Sequence, residues 1–420
     1  MPKRVLVLEA GTGASEHLIR SLREGDDAFA ILGGHWDQFF LKNSAADARW
    51  LIPPPHAAGY ATALRRLVTR EAVDVVLPNA DESVAAVSAA RRRLGRRVFL
   101  PRHDVIDLCQ DKQRLATFLQ RRGIPVPRTH AVTGRRSIDA IFRRLSPRTA
   151  LWCRIRSGCN SRGAAPVATP EQARGWIRYW CEMRGVRATD FTLAEYLPGR
   201  DFACLMLWQN GSMVLAKTCE RLSYFFAQSQ PSGRSSMAGL SKTVYEPRVV
   251  ETCARAIRAV DPKATGAFSV DLKADEHGEP RITEINAGRL IAQAILLDRA
   301  GKHSLSLTYA RLALGEPVTL RDEYDAPEDY YFVRNVDAEP LVFHASEFSE
   351  GIEDARGGRR ATPGRASRPL SKALRSKRHS SDHGFEIVGD LDRHALEALY
   401  IDLHRLGGRM GFGVSTFNVS

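Results

Sequence analysis

The chain contains seven cysteines, at 109, 153, 159, 181, 204, 219 and 253, yet none forms a Cys-x-x-Cys pair and none has a histidine at ligand spacing. Neither a zinc site nor a disulfide framework fits that scatter, and reduced, mostly buried thiols are expected. Long apolar runs are missing too. The opening Met1-Pro-Lys-Arg-Val-Leu-Val-Leu-Glu-Ala-Gly holds an apolar run too short for a signal-peptide core, and no later stretch approaches a membrane span. The expectation is a soluble, cytoplasmic protein with no membrane partner. No Ser–His–Asp or Cys–His constellation stands out, so chemistry carried by a side-chain nucleophile is not indicated.

Acidic residues are in deficit, 48 against 61 Lys and Arg, which leaves a net charge of +13. Such an excess can mark a phosphate-binding surface. Its distribution argues otherwise. Segment 351–383 is rich in Arg, Ser, Gly and Pro and holds nine Lys/Arg against three Asp/Glu. That composition reads as a flexible basic insert. Arg91-Arg92-Arg93 and Arg143-Arg144 fall on helix-like stretches as solvated faces. Without aromatic–basic interleaving, a helix-turn-helix pattern or zinc-finger spacing, nucleic-acid binding is not the expected function.

A chain of 420 residues, 44% of them hydrophobic, is too long for one ordinary domain, and two to four units are expected. Strand Arg4–Leu8, the turn Gly11-Thr12-Gly13 and a helix over Ser15–Arg23 form a first strand–helix unit. Strand Val73–Pro78 before a helix from Asp81, and strand Arg97–Pro101 before a helix at Asp104, continue the alternation and predict a parallel sheet. A dinucleotide site is disfavoured. Its fingerprint needs a small residue where Glu16 stands, and no ribose-binding acid follows the second strand, Phe29–Gly34.

The second block begins with a helix over Gln110–Arg122, ended by Gly123 and followed by the extended Ile124-Pro-Val-Pro127. In the strand from Leu151, Arg154 and Arg156 are expected to point the same way, ahead of a loop carrying Gly158, Ser161 and Gly163. Such a loop can bring backbone N–H groups close to phosphate oxygens, although a plain turn has the same composition. Phe191–Leu207 reads as two strands about a Pro198-Gly199 turn flanked by Glu195 and Asp201, followed by a Gln209-Asn210-Gly211 turn into Met213–Lys217.

The richest segment is Thr265–Arg289. If its turn centres on His277-Gly278, a symmetric antiparallel register sets Asp271 opposite Glu284 and Ser269 opposite Asn286. Facing carboxylates repel unless a cation lies between them, and a hard, oxygen-seeking ion such as Mg²⁺ would remove the penalty. A solvated acidic hairpin is the plainer alternative.

Over roughly residues 1–340, the order of these elements resembles the ATP-grasp superfamily, nearest its carboxylate–amine ligases and carbamoyl-phosphate-synthase-like members. The resemblance implies an N-terminal Rossmann-like α/β domain (1–105), a linker helix and lid subdomain (106–190), and a second α+β subdomain with the metal hairpin (191–345). ATP would lie between the two lobes, and residues 346–420 would add the basic insert and a terminal helix. It further implies that Lys112 and Arg154 meet phosphates, that Gly158 to Gly163, with Ser161, form a mobile lid, and that Glu195, Tyr196 and Leu197 read adenine. Asp201 would lie near ribose, Asp271, Glu284 and Asn286 would hold Mg²⁺ or Mn²⁺, and Arg289 would meet substrate or phosphate. Ile155 replaces a common proline of the family pattern, and Arg289 comes one position later than in much of the family.

Transfer of the γ-phosphoryl group to a small carboxylate, followed by attack of an amine, is the implied reaction. The alternative is an ATP-binding protein without turnover, serving as a sensor or partner subunit. Arg221, Arg234 and Arg289, in and near the stretch 221–237, could grip a carboxylate bidentately or be solvated loop residues. Asp392–Leu406 reads as an amphipathic helix that docks on the core or on a second subunit, which leaves a homodimer open.

Overall fold

A computed structural model of the protein describes residues 2–158, 161–228, 230, 235–335, 338–348 and 350–352, together with a short strand pair, Leu374–Ser376 and Phe385–Ile387. Arg234, most of segment 351–383 and the helix expected over Asp392–Leu406 lie outside the described residues.

The N-terminal strands are β1 (Lys3–Leu8), β2 (Phe29–His35), β3 (Ala48–Leu51) and β4 (Val75–Leu77), all parallel in the order β3-β2-β1-β4. Apolar residues fill both faces of β1, where Val5 and Val7 enter one core and Leu6 and Leu8 another. That is the pattern of a parallel strand covered on both sides. Arg97–Pro101, expected as a strand, joins no ladder: Arg97 ends a short 3-10 turn and residues 98–101 pair with no strand. Arg91 instead donates to the carbonyls of Leu100 (2.7 Å) and Pro101 (2.6 Å), and Pro101 has no N–H to give.

Strands β5 (Thr129–Ala131), β6 (Leu151–Ile155), β7 (Ala165–Val167) and β8 (Phe191–Glu195) form an antiparallel sheet in the order β5-β8-β6-β7. The third sheet is built on β9 (Asp201–Gln209), β10 (Ser212–Tyr224), β11 (Ala238–Thr243), β12 (Gly266–Ala274), β13 (Pro280–Ala287), β14 (Tyr330–Asn335) and β15 (Ala338–His344), in the order β13-β12-β9-β10-β11-β14-β15. Along β9, Phe202, Cys204, Met206 and Trp208 join the core beneath helix Pro247–Val260. Ala203, Leu205 and Leu207 face the core shared with helix Leu305–Leu314 and with Val5 and Val7 of β1. Fully burying one such leucine contributes about 1.5–3 kcal/mol, so this shared core fastens the N-terminal sheet to the large one.

Pro198-Gly199 does not close a hairpin. It carries the chain from β8 in one sheet to β9 in the other, and a Cβ on Gly199 would stand 2.6 Å from the Ala274 Cβ. Residues of both sheets line one cleft. No helix among the described residues is long and apolar enough to cross a membrane.

Candidate active site

The β12–β13 hairpin has the expected pairing at its chemical end: Asp271 faces Glu284, and Ser269 faces Asn286. Nearer the turn the register slips by one, with Leu272 opposite Ile282, so Thr283 bulges out of the ladder. The bulge frees the Thr283 carbonyl, which accepts from Arg154 Nη2 at 2.9 Å, while the Thr283 hydroxyl donates to the Asp271 carbonyl at 3.0 Å. Arg154 projects from β6 in the opposite sheet and thus spans the cleft. Burial lowers its proton affinity, and Glu284 and Asp271 work against that shift.

Arg156 takes another direction. The strand ends at Ile155, so alternation no longer governs Arg156, whose guanidinium pairs with Asp111 at 2.5 Å. Asp111 also accepts from the backbone N–H groups of Gln113 and Arg114. It thereby caps helix Lys112–Gln120, which starts two residues later than the expected Gln110–Arg122 and follows a separate helix, His103–Gln110. Lys112, the first residue of that helix, donates to the Gly158 carbonyl at 2.6 Å and lies 3.3 Å from Glu284 Oε1.

The other hairpin acid has a different partner. Arg221 Nη2 lies 2.5 Å from Asp271 Oδ1, and its Nη1 lies 3.3 Å from Asp201. Burial raises the Asp271 carboxyl above the usual carboxylate range, Arg221 opposes that, and Glu284 adds to it. Burial also works against ionisation of Asp201, but Lys273, Arg221 and the Tyr224 hydroxyl together hold its carboxyl below the usual range. Arg289 donates to Asn286 Oδ1 at 2.5 Å and to Asp81 at 2.6 Å, tying the hairpin to helix Asp81–Ala89 of the N-terminal layer.

Of these groups, Lys112, Arg154, Asp201, Arg221, Asp271, Glu284, Asn286 and Arg289 border one cavity of about 1400 Å³, whereas Asp111 and Arg156 do not. Eleven of the twelve expected site residues line it: Lys112, Arg154, Ser161, Glu195, Tyr196, Leu197, Asp201, Asp271, Glu284, Asn286 and Arg289. The twelfth, Gly163, is not among the lining residues; its carbonyl accepts from Trp176 Nε1, and a Cβ on it would strike Ile155. Trp152, Ile155, Ala164 and Leu197 make one end apolar. Glu195 spends its carboxylate on the backbone N–H and Nε of Arg128.

The opposite end reaches the N-terminal sheet and includes residues that sequence reading missed: Glu9, Trp36, Phe40 and Arg334. Glu9 stands just after β1, at the carboxyl end of a parallel strand, where α/β sheets bind ligands, and that position is the signal that could have found it. Its backbone is left-handed (φ 54°), it is 3% exposed, and it accepts from Asn79 N–H and Ser83 Oγ. Burial pushes its carboxyl up to about 7. Close by, Glu16 accepts from the Gly11 N–H at 2.6 Å, and a Cβ on Gly11 would stand 1.8 Å from the Phe40 carbonyl oxygen. The Gly11 N–H that a dinucleotide pyrophosphate would need is therefore taken by Glu16.

As a cation site, Asp271, Glu284 and Asn286 offer only hard oxygen donors, which suits Mg²⁺ or Mn²⁺. Among the described residues no three His, Cys, Asp or Glu side chains converge in metal-holding geometry, and the amide oxygen of Asn286, which would have to supply the third ligand, accepts from Arg289.

No family model matches the sequence, and no curated protein does. Solved structures do match. The biotin carboxylase-beta-gamma-ATP complex from Campylobacter jejuni is similar at a TM-score of 0.61 and 13% identity, over 78% of this chain and 74% of that one. Carboxyaminoimidazole ribonucleotide synthase from Aspergillus clavatus, complexed with ATP, gives 0.59 and 15% over 79% and 81%. L-amino acid ligase from Bacillus licheniformis gives 0.58 and 12% over 79% and 78%. The mixed α/β layers, the cleft between two antiparallel sheets and these likenesses agree: this chain has the ATP-grasp fold.

Proposed function

We propose that the protein is an ATP-dependent ligase that activates a carboxylate as an acyl phosphate and joins it to an amine or similar nucleophile, with release of ADP and phosphate. The observation that carries this reading is the meeting of Lys112 and Arg154 with the facing pair Asp271 and Glu284 in one cleft between two sheets. The similar structures include complexes with adenine nucleotides and a ligase of amino acids, which supports the same reading.

A carboxylate resists attack by an amine because oxide would be the leaving group. Phosphoryl transfer replaces it with phosphate. In the proposed cleft the apolar end around Trp152 and Leu197 takes the base, and Lys112 and Arg154 offset negative charge as the γ-phosphoryl group moves. Gly158, Ser161, Arg162 and Ala164 border the site, and their part in the proposed reaction is to keep water away, which would otherwise hydrolyse the acyl phosphate. Asp271, Glu284 and Asn286 would hold Mg²⁺, which when bound neutralises charge on phosphate oxygens. Arg289, fixed by Asp81 and Asn286, faces the reacting groups with its orientation set in advance.

The test is ADP release from purified protein given Mg·ATP and pools of amino acids and small carboxylic acids. Release that rises with one pool identifies the substrate class. No substrate-dependent release from a protein that binds ATP would favour a nucleotide-binding role without turnover.

A further inference from the structure

We propose that Arg334 binds a carboxylate of the substrate, at the end of the cavity bordered by the N-terminal helix Gly13–Glu24. The assignment rests on the ligase reading for what the carboxylate is used for, and on the geometry of Arg334 for where it binds.

Of the arginines marked from sequence, Arg221 is engaged by Asp201 and Asp271, and Arg289 by Asp81 and Asn286. Arg334 comes from β14, lines the same cavity and is half-buried, yet among the described residues no carboxylate lies within ion-pair distance of it. Its Nη1 donates to the Ala238 carbonyl at 3.3 Å, and its guanidinium carbon stands 5.7 Å from the Phe225 ring centroid. Its Nη2 stands 3.9 Å from where a Cβ on Gly13 would be.

A guanidinium carries five donors in a planar fork that matches a carboxylate, and holding such a charge out of water without an anion is unfavourable. Burial indeed lowers the proton affinity of Arg334, with no acid opposing it. The start of helix Gly13–Glu24 beside it adds the positive end of a helix dipole, and the Thr12 side chain makes no cap hydrogen bond there. The cavity, at about 1400 Å³, also exceeds the roughly 300–1,000 Å³ usual for one small ligand, which leaves room for a second beside a nucleotide.

The test is calorimetric titration of the full chain, saturated with Mg·AMPPNP, with acetate, succinate, L-alanine and L-glutamate, each paired with its amide. At least one carboxylate should bind while its amide does not, and Arg334→Gln should weaken it by about tenfold or more, the scale of a lost charge-assisted contact. Gly13→Asp supplies a second variant. It places a carboxylate beside Arg334 in the first turn of a helix, where acids are tolerated, and should cause a similar loss by satisfying the guanidinium internally. Both variants should keep Mg·AMPPNP affinity within about twofold, since neither touches the proposed nucleotide groups. Equal carboxylate affinity in the wild type and both variants, or no carboxylate binding to the wild type, overturns the assignment. Arg334-dependent carboxylate binding by a wild type that fails to bind nucleotide would overturn the ligase reading and leave this assignment standing.

Discussion

The Lys112 ammonium lies 3.3 Å from the Glu284 carboxylate, joining the start of a helix to the far strand of a hairpin. Across the hairpin, Asp271 is matched by Arg221 at 2.5 Å. Each of two facing acids thus has its own protein cation. The repulsion that the hairpin alone implies is offset within the protein, and a bound metal ion would compete with Lys112 and Arg221 for the same oxygens.

Replacing Glu284 with Gln should therefore lower Mg²⁺-dependent ADP release by orders of magnitude, on the scale of about 3–4 kcal/mol for loss of one electrostatic stabiliser. Metal-free stability should fall by about 1 kcal/mol, because Lys112 loses the acidic group within ion-pair distance of it among the described residues while remaining buried. The isolated hairpin predicts the opposite sign. Thermal unfolding without metal, beside ADP release with it, checks both halves.

Arg154→Ala should weaken ATP binding at least about tenfold and slow turnover, since a charge-assisted phosphate contact is lost. It also removes the partner of the Thr283 carbonyl, so a stability loss of about 1 kcal/mol should accompany it. Calorimetric titration with Mg·AMPPNP decides the point; wild-type affinity would take Arg154 out of the site.

Glu9 makes a pH prediction. Its folded pKa, about 7, lies above its ordinary value of 4.5. Between those values the folded protein holds the proton more tightly than the unfolded chain, so this group's contribution falls as pH rises through the window and is flat above it. The loss is about 3 kcal/mol. Buried His17, lowered to about 4, acts in the opposite sense as pH falls below its ordinary 6.5. The difference between wild type and Glu9→Gln isolates the first effect: the variant should gain stability relative to wild type between about pH 5 and pH 8 in urea unfolding.

Lys217 and Asp325 form a buried pair at 2.8 Å, away from the cavity, and Lys217 also donates to the Leu297 carbonyl. Lys217→Met leaves Asp325 without its cation and should cost about 3–5 kcal/mol in urea unfolding. Nucleotide affinity of the folded variant should be unchanged, because Lys217 borders no part of the cleft.

Local pattern made much of this protein legible from its residues. The period of two along a strand and a glycine turn predict Asp271 against Glu284 and Ser269 against Asn286, a pairing the protein reaches only through the bulge at Thr283, and alternating strands and helices announce the parallel sheet. The same reasoning fails where a neighbour from elsewhere intervenes. Arg156 leaves its expected face because the strand stops at Ile155, and Arg97–Pro101 forms no strand where the Arg91 side chain takes the Leu100 and Pro101 carbonyls.

Which arginine is engaged and which awaits an anion was decided only by the tertiary structure. Arg221, Arg289 and Arg334 are alike in sequence, each a basic residue on or beside a strand. Their partners, Asp271, Asp81 and the Ala238 carbonyl, come from distant segments of the chain. Side-chain periodicity is a property of the local backbone and can be read along the chain, whereas ion pairing depends on distance through space, which exists only once the three sheets have packed together.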